Sequence, residues 1–299
     1  MASQHSGSVK EISIINDDTL EFFFTDRISV FDKVIPSVIE GKGETLCTEG
    51  TFWFERIEAI GIRTHFMKRP SPNTMHVRKV DVIRDYDAID ETTTNYLIPL
   101  EFICRHYVAG SLHSRLQKGV LSPEDVGFEK GHEVTYGEKL PFPYIETSTK
   151  LEPVDRLLDE DEALEISGLT LEEYEDICET IIKIDLEMAR EVESRDLIHV
   201  DGKKEFAFDE QRRPMVIDVF GTADEDRFWD LPAWRDGMCV ELSKEFVRKY
   251  YESIGFKDRL YAAREQGEPE PEIPPLPDDM RAKASEIYKD MQYRITGMR

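Results

Sequence analysis

The chain has 299 residues, enough for one large lobed domain or two smaller ones, and a net charge of −24 from 62 acidic against 38 basic side chains. Such acidity disfavours general binding to nucleic-acid backbones or anionic lipid surfaces, and no apolar run reaches the roughly 18 residues that a membrane span needs. Cys47, Cys104, Cys178 and Cys239 lie far apart with no Cys-x-x-Cys, which fits reduced thiols in a cytoplasmic protein better than a disulfide framework or a zinc site.

In chain order, "VKEISII" and "LEFFFTD" flank "NDD" and read as a β-hairpin. From Glu44 to Ile60, Leu46, Gly50, Trp53, Ile57 and Ile60 recur at helical spacing, and Gly61 follows as a stop signal. "TMHVRKVDVI" and "YLIPLEFICRHYV" are two further strand candidates, separated by the polar loop "RDYDAIDETTTN". Thr170 and Glu173 form a capping-box pattern that opens a long amphipathic helix through Cys178, Ile181, Met188 and Val192. "LSKEFVRKYYESIG" is another helix, ended by Gly255. Beyond it, "EQGEPEPEIPPLPDD" suggests an extended arm leading to a last helix with Met280, Ala284, Ile287 and Met291 on one side.

Between the long helix and the "LSKEF" helix lies "VDGKKEFAFDEQRRPMVIDVFGTADEDRFW", dense in opposed charge. As a hairpin turning between Gln211 and Arg212, it alternates Phe206 and Phe208 on one face with Lys203, Glu205 and Asp209 on the other. That turn puts Ile217 and Val219 with the aromatic face and Asp218 directly opposite Glu205. Two carboxylates at cross-strand distance repel unless a cation lies between them, and hard oxygen ligands of this kind suit Mg²⁺ carrying phosphates, with Lys203 to neutralise a transferring phosphoryl group. Charge alone fits a solvated hairpin as well.

In "RHYVAGSLHSRL", Gly110 permits a tight turn, Ser111 is placed to cap a helix, and the free amides there make an anion site with Arg105 as partner. An ordinary capped helix beside a surface arginine is the plainer reading. "IEGKGETL" sets Gly41, Lys42 and Gly43 before a helix without the spacing of the common phosphate loop. The seven histidines include no i,i+4 pair and none has an evident nucleophile beside it, so neither a zinc hydrolase nor a triad hydrolase is supported.

Together "FTDRISVFDKVIPSVIEGKG", "LEFICRHYVAGSLHSRL", "VDGKKEF", "DRFWD" and "LSKEFVRKYY" resemble segments of the SAICAR synthetase family, in that family's order. The resemblance implies an α+β, two-lobed ATP-grasp-like fold with antiparallel sheets and packed helices. Its implied layout is a strand-rich nucleotide-binding lobe over 1–100, a catalytic lobe over 101–262, and a Pro-rich arm with a terminal helix over 263–299. It implies a ligase of purine biosynthesis in which ATP and Mg²⁺ activate the carboxylate of CAIR and the amine of L-aspartate attacks to give SAICAR. Its partners are then small molecules, not nucleic acid or membrane, and assembly as a homo-oligomer is open.

Matched motif to motif, Lys203, Glu205 and Asp218 serve catalysis, with Glu205 and Asp218 as the metal ligands. Arg105, Ser111 and Arg227 hold the substrate phosphate. Thr25, Asp26, Arg27 and Ser29 fall in a substrate-side loop, while Lys10, Lys42 and Lys79 fall to the nucleotide. Three departures stand out: Gly7 and Ser8 replace the usual Gly-Lys; Val219 follows Asp218 where a second acid is common; and Val154, Asp155, Arg156 and Leu157 stand for the family's His-Asp-Glu-Asn run. Only Asp155 is kept for orienting the amine, and Arg156, or a residue of the "TDRIS" loop, is the candidate to supply the missing donors. A relative that ligates another amine, a kinase-like transferase, and an inactive binding protein are the competing expectations.

Overall fold

A computed structural model describes residues 5–6, 10–242 and 244–298; Gly7 and Ser8 lie outside them. The first half holds the short strand β1 (His5–Ser6), the hairpin β2 (Lys10–Asn16) and β3 (Thr19–Phe24), β4 (Arg27–Val30), β5 (Lys33–Val38), helix α1 (Lys42–Ala59), β6 (Phe66–Ser71) and β7 (Thr74–Arg78). Then come β8 (Leu97–Tyr107), α2 (Gly110–Gln117), β9 (Lys139–Thr149), β10 (Leu157–Leu158), α3 (Glu160–Ser167) and α4 (Leu171–Glu193). The remainder is β11 (Leu197–Phe208), β12 (Pro214–Ile217), β13 (Arg227–Asp230), α5 (Leu231–Arg235), β14 (Glu241–Leu242), α6 (Glu245–Ser253), α7 (Phe256–Gln266) and α8 (Asp278–Thr296).

Among the described residues the strands form three antiparallel sheets. One runs β1-β2-β3-β7-β6, a second β10-β9-β8-β11-β13-β14 with β12 on β11, and the third is the β4-β5 ribbon. The fold is α+β, as expected. One hydrophobic cluster runs from Phe22 and Trp53 through Phe102, Phe206 and Ile181 to Met291 and Ile295, so both large sheets and the terminal helix share a core. No helix among the described residues is long and apolar enough to cross a membrane.

Local chemistry sets the boundaries. Thr170 accepts from Glu173 N, and the Glu173 side chain accepts in return from the Thr170 amide, closing the capping box that opens α4. Gly61 (φ 86°) turns the chain out of α1, donating to the Glu58 carbonyl at 3.0 Å. The Pro-rich arm is extended but packed: Tyr251 donates to Pro274 O at 2.7 Å, Leu276 N to Ser37 Oγ at 3.0 Å, and Ile273 and Leu276 are buried.

The charged hairpin departs from its expected register. The β11–β12 connection is the five-residue turn Asp209–Arg213, with Asp209 Oδ1 accepting from Gln211 N and Arg213 N at 2.9 Å each and Arg212 at φ 52°. Glu205 therefore pairs with Ile217, not Asp218, and Phe206 with Val216. Ile217 packs with Ala207 and Met215 on the side away from Phe206, while Val216 joins the aromatic side. A one-residue shift in a two-residue period changes every facing side chain.

On its other edge β11 is shared, β13 pairing its first half and β12 its second, and the connecting Asp218–Asp226 segment crosses the gap beside Gly202. A Cβ at Gly202 would stand 1.8 Å from Asp226 Oδ2. Gly202→Ala is therefore expected to cost about 2–3 kcal/mol in denaturant unfolding through overpacking; an unchanged midpoint would remove this constraint.

Candidate active site

The outward face of the large sheet carries a row of charge. Antiparallel pairing sets Glu205 (β11) directly opposite Glu101 (β8), and Glu101 opposite Ser148 (β9). The costly cross-strand pair of carboxylates exists, but its members are Glu205 and Glu101. Two lysines relieve it. Lys203 Nζ lies 2.7 Å from Glu101 and 3.1 Å from Glu205, while Lys150, at the end of β9, contacts Glu205 and stands 3.9 Å from Glu101.

Asp218 reaches the same cluster by another route. At φ 57° it leaves β12 in the left-handed region, where an aspartate is tolerated better than most residues. Val216 is held between β11 and the Arg63–His65 segment, donating to Arg63 O at 2.9 Å and accepting from His65 N at 3.0 Å. His65 is buried, which lowers its pKa to about 3, so a neutral ring meets the Asp218 carbonyl at 3.3 Å. The Asp218 carboxylate pairs with Lys10 of β2, bringing the amino-terminal sheet onto the large one.

The electrostatics follow from this crowding. Burial alone would lower the Lys203 pKa, but Glu205, Glu225 and Glu101 raise it above the ordinary lysine range. For Lys150 the same loss of solvation is outweighed by Glu205 and Asp218. Desolvation would raise Asp218, yet Lys10 and Lys150 hold it well below the usual carboxylate range. Burial raises Glu101, only partly opposed by Lys203. Glu205, 2% exposed, has one ammonium group against each oxygen, Lys203 at Oε1 and Lys150 at Oε2.

Four residues further up β8 on the same face, about 13 Å along the strand, is Arg105. It pairs with Glu146 at 2.7 Å and Asp201 at 3.4 Å and donates to Ser111 Oγ at 3.1 Å. Arg227 of β13 meets the same Asp201 at 2.6 Å and Glu241 at 3.1 Å. Ala109, not Ser111, precedes α2 as its cap, and Ser111 is the second helical residue. Gly110 (φ 49°) lets the helix start pack on Arg227, whose guanidinium nitrogens would lie 2.8 Å from a Cβ there. Arg105, Ser111 and Arg227 are thus brought together, with α2 amides beside them.

The remaining residues from the sequence are held as follows. Asp26 accepts from Gly41 N at 3.2 Å and Gly43 N at 2.9 Å, pinning the Gly-Lys-Gly turn. Arg27 pairs with Glu11 at 3.0 Å, and Ser29 lies on β4 opposite Val34. Thr25 Oγ1 accepts from Arg27 N at 3.3 Å. Lys42 is fully buried, 2.6 Å from Asp224, whose other oxygen accepts from Tyr288 of α8 at 2.6 Å. It therefore braces the loop that carries Glu225. Lys79 donates through its amide to Asp18 O at 2.9 Å, at the first hairpin's turn.

Asp155 is exposed on the loop that leaves the sheet after Lys150. Arg156 lies at the surface, 3.1 Å from Glu152 and 2.6 Å from Glu162. Glu101 and Lys150 were missed by motif reasoning. Their signal is parity: Glu101 shares a strand face with Arg105, and Lys150 with Glu146.

Known proteins resemble this chain throughout. The profile of the SAICAR synthetase family matches residues 3–261. A phosphoribosylaminoimidazole-succinocarboxamide synthase of Thermoplasma acidophilum is 55% identical over 293 residues, 98% of either chain. A solved SAICAR synthetase in complex with ADP superposes with a TM-score of 0.71 at 25% identity, covering 99% of both chains. The Saccharomyces cerevisiae SAICAR synthase complexed with SAICAR gives a TM-score of 0.78 at 22% identity over 100% of this chain and 96% of that one, a likeness of fold.

Proposed function

The chain belongs to the SAICAR synthetase family, and from that membership we propose how its own residues carry the family's reaction, the ATP-dependent joining of L-aspartate to the carboxylate of CAIR. The observation that carries the reading is the spacing on one sheet face. Arg105 and Arg227 with the α2 amides form an anion grip, and the lysine–carboxylate cluster lies about 13 Å along β8. A phosphoribosyl substrate held by its phosphate at the first point presents its far end, the carboxylate, near the second.

At the cluster, Lys10, Lys150 and Lys203 offset the charge of the transferring phosphoryl group, since such transfer gains mostly from positioning and charge neutralisation. The donor set fits Mg²⁺: carboxylate oxygens of Glu205, Glu101 and Asp218 gathered on one face and neutralised only by mobile ammonium groups that an ion can displace. Glu205 and Asp218, with Glu101 beside them, would hold it, and when bound it supplies neutralisation of the ATP phosphates. Lys42 acts indirectly by fixing Asp224 and hence the Glu225 loop. Asp155, on the loop opening from Lys150, is assigned to the aspartate side, and Asp26 to shaping the Gly-Lys-Gly turn.

The test is ADP release with Mg²⁺, CAIR and either aspartate, glutamate, alanine or ammonia as amine. A clear preference for aspartate is expected. Preference for another amine would make the chain a diverged relative, and no CAIR-dependent release would refute the reading.

A further inference from the structure

On the opposite face of the same sheet, β8 and β11 bury a second polar cluster against α4. Cys104 and His106 flank Arg105, and strand alternation sends their side chains away from the phosphate grip. The Cys104 thiol, a His106 ring nitrogen and an Asp185 carboxylate oxygen all lie within 4.8 Å of one another. Cys104 and Asp185 are fully buried, and His106 opens onto a cleft of about 320 Å³ lined also by Tyr107, Asp185, His199 and Trp234.

We propose that Cys104, His106 and Asp185 bind a borderline divalent transition-metal ion of the Zn²⁺ class at the floor of this cleft, with the fourth position facing the cleft. Cys104 Sγ and His106 Nε2 are 3.6 Å apart. Bonds of about 2.3 Å to sulfur and 2.0 Å to nitrogen at a tetrahedral angle demand about 3.5 Å. His106 Nε2 lies 2.8 Å from Asp185 Oδ2, so the three atoms already converge.

His199 adds a further polar group to the cleft wall: its side chain is fully buried, Nε2 is tied to Asp226 at 2.7 Å, and Nδ1 has no partner.

Lys204 is fully buried between Asp185 at 2.5 Å and Asp226 at 3.4 Å, one ammonium group shared by two carboxylates. Ligation on either side of Arg105 would pin the strand that carries the phosphate grip to α4.

The full chain, stripped with chelator and then titrated with Co²⁺, tests this by its spectrum. One ion per chain with thiolate-to-cobalt charge transfer is expected; carboxylates of the active face cannot produce that band. Cys104→Ser should abolish the band. His106→Asn, which keeps the thiol, should weaken Co²⁺ affinity at least about a hundredfold, and Cys178→Ser should leave the band unchanged. Absence of the band in the wild type, its survival in folded Cys104→Ser, or unaltered affinity in His106→Asn would each overturn the site.

Discussion

Glu205→Gln and Asp218→Asn are each expected to reduce ATP turnover about a thousandfold, the scale of losing a preorganised electrostatic group at the reacting centre. Their thermal stabilities should differ in size. Glu205 faces Glu101 across adjacent strands, and making it neutral removes that like-charge contact but also the carboxylate partner of Lys150 and Lys203, so the two effects oppose and the melting temperature should shift less than in Asp218→Asn. Asp218 is held by Lys10, and Asp218→Asn gives up that tie between the two large sheets. ADP release and thermal unfolding measured on the same preparations distinguish these outcomes. Near-normal turnover of either variant at limiting Mg²⁺ would sink the assignment, whereas joint loss of activity and fold in Glu205→Gln would make the residue structural.

The sequence made some of this legible and hid the rest for identifiable reasons. Local signals worked where one element carries them, as in the Thr170–Glu173 box and the stripe of α4. The hairpin register failed because Asp209 folds its own side chain back onto Gln211 N and Arg213 N, which makes a five-residue turn from a stretch that reads as a shorter one. Asp218 still belongs to the cluster only because its backbone turns left-handed after β12, which alternation cannot foresee. Glu101 and Lys150 became visible once β8, β9 and β11 were known to be neighbours, a pairing that no local window contains. Strand β9 itself is obscured by Pro141 and Pro143. Cys104 and His106 escaped a search for i,i+4 ligands because on a strand the shared face recurs at i,i+2.

Arg227→Ala should weaken binding of the phosphoribosyl carboxylate substrate about a hundredfold, with little change in affinity for ATP, because the phosphate grip and the nucleotide cluster are separate stations on the sheet. Arg227 is the cleaner of the two arginines to test. Arg105 is 6% exposed and bridges Glu146 and Asp201, so Arg105→Ala removes a buried link between two acids and perturbs the sheet as well as the grip, although Arg115 still meets Glu146 and Arg227 still meets Asp201. Arg227 is more open, and Arg105 remains to accompany Asp201 when it is removed. Arg105→Lys keeps the charge but loses the planar fork that reaches Glu146 and Ser111 together, and should weaken binding less than Arg227→Ala does. Gly110→Ala adds an independent probe, since its Cβ would push into the Arg227 guanidinium without altering any charge. Calorimetry with CAIR decides the matter. Unchanged affinity in folded Arg227→Ala would mean that these arginines serve the sheet and that the substrate phosphate is held elsewhere.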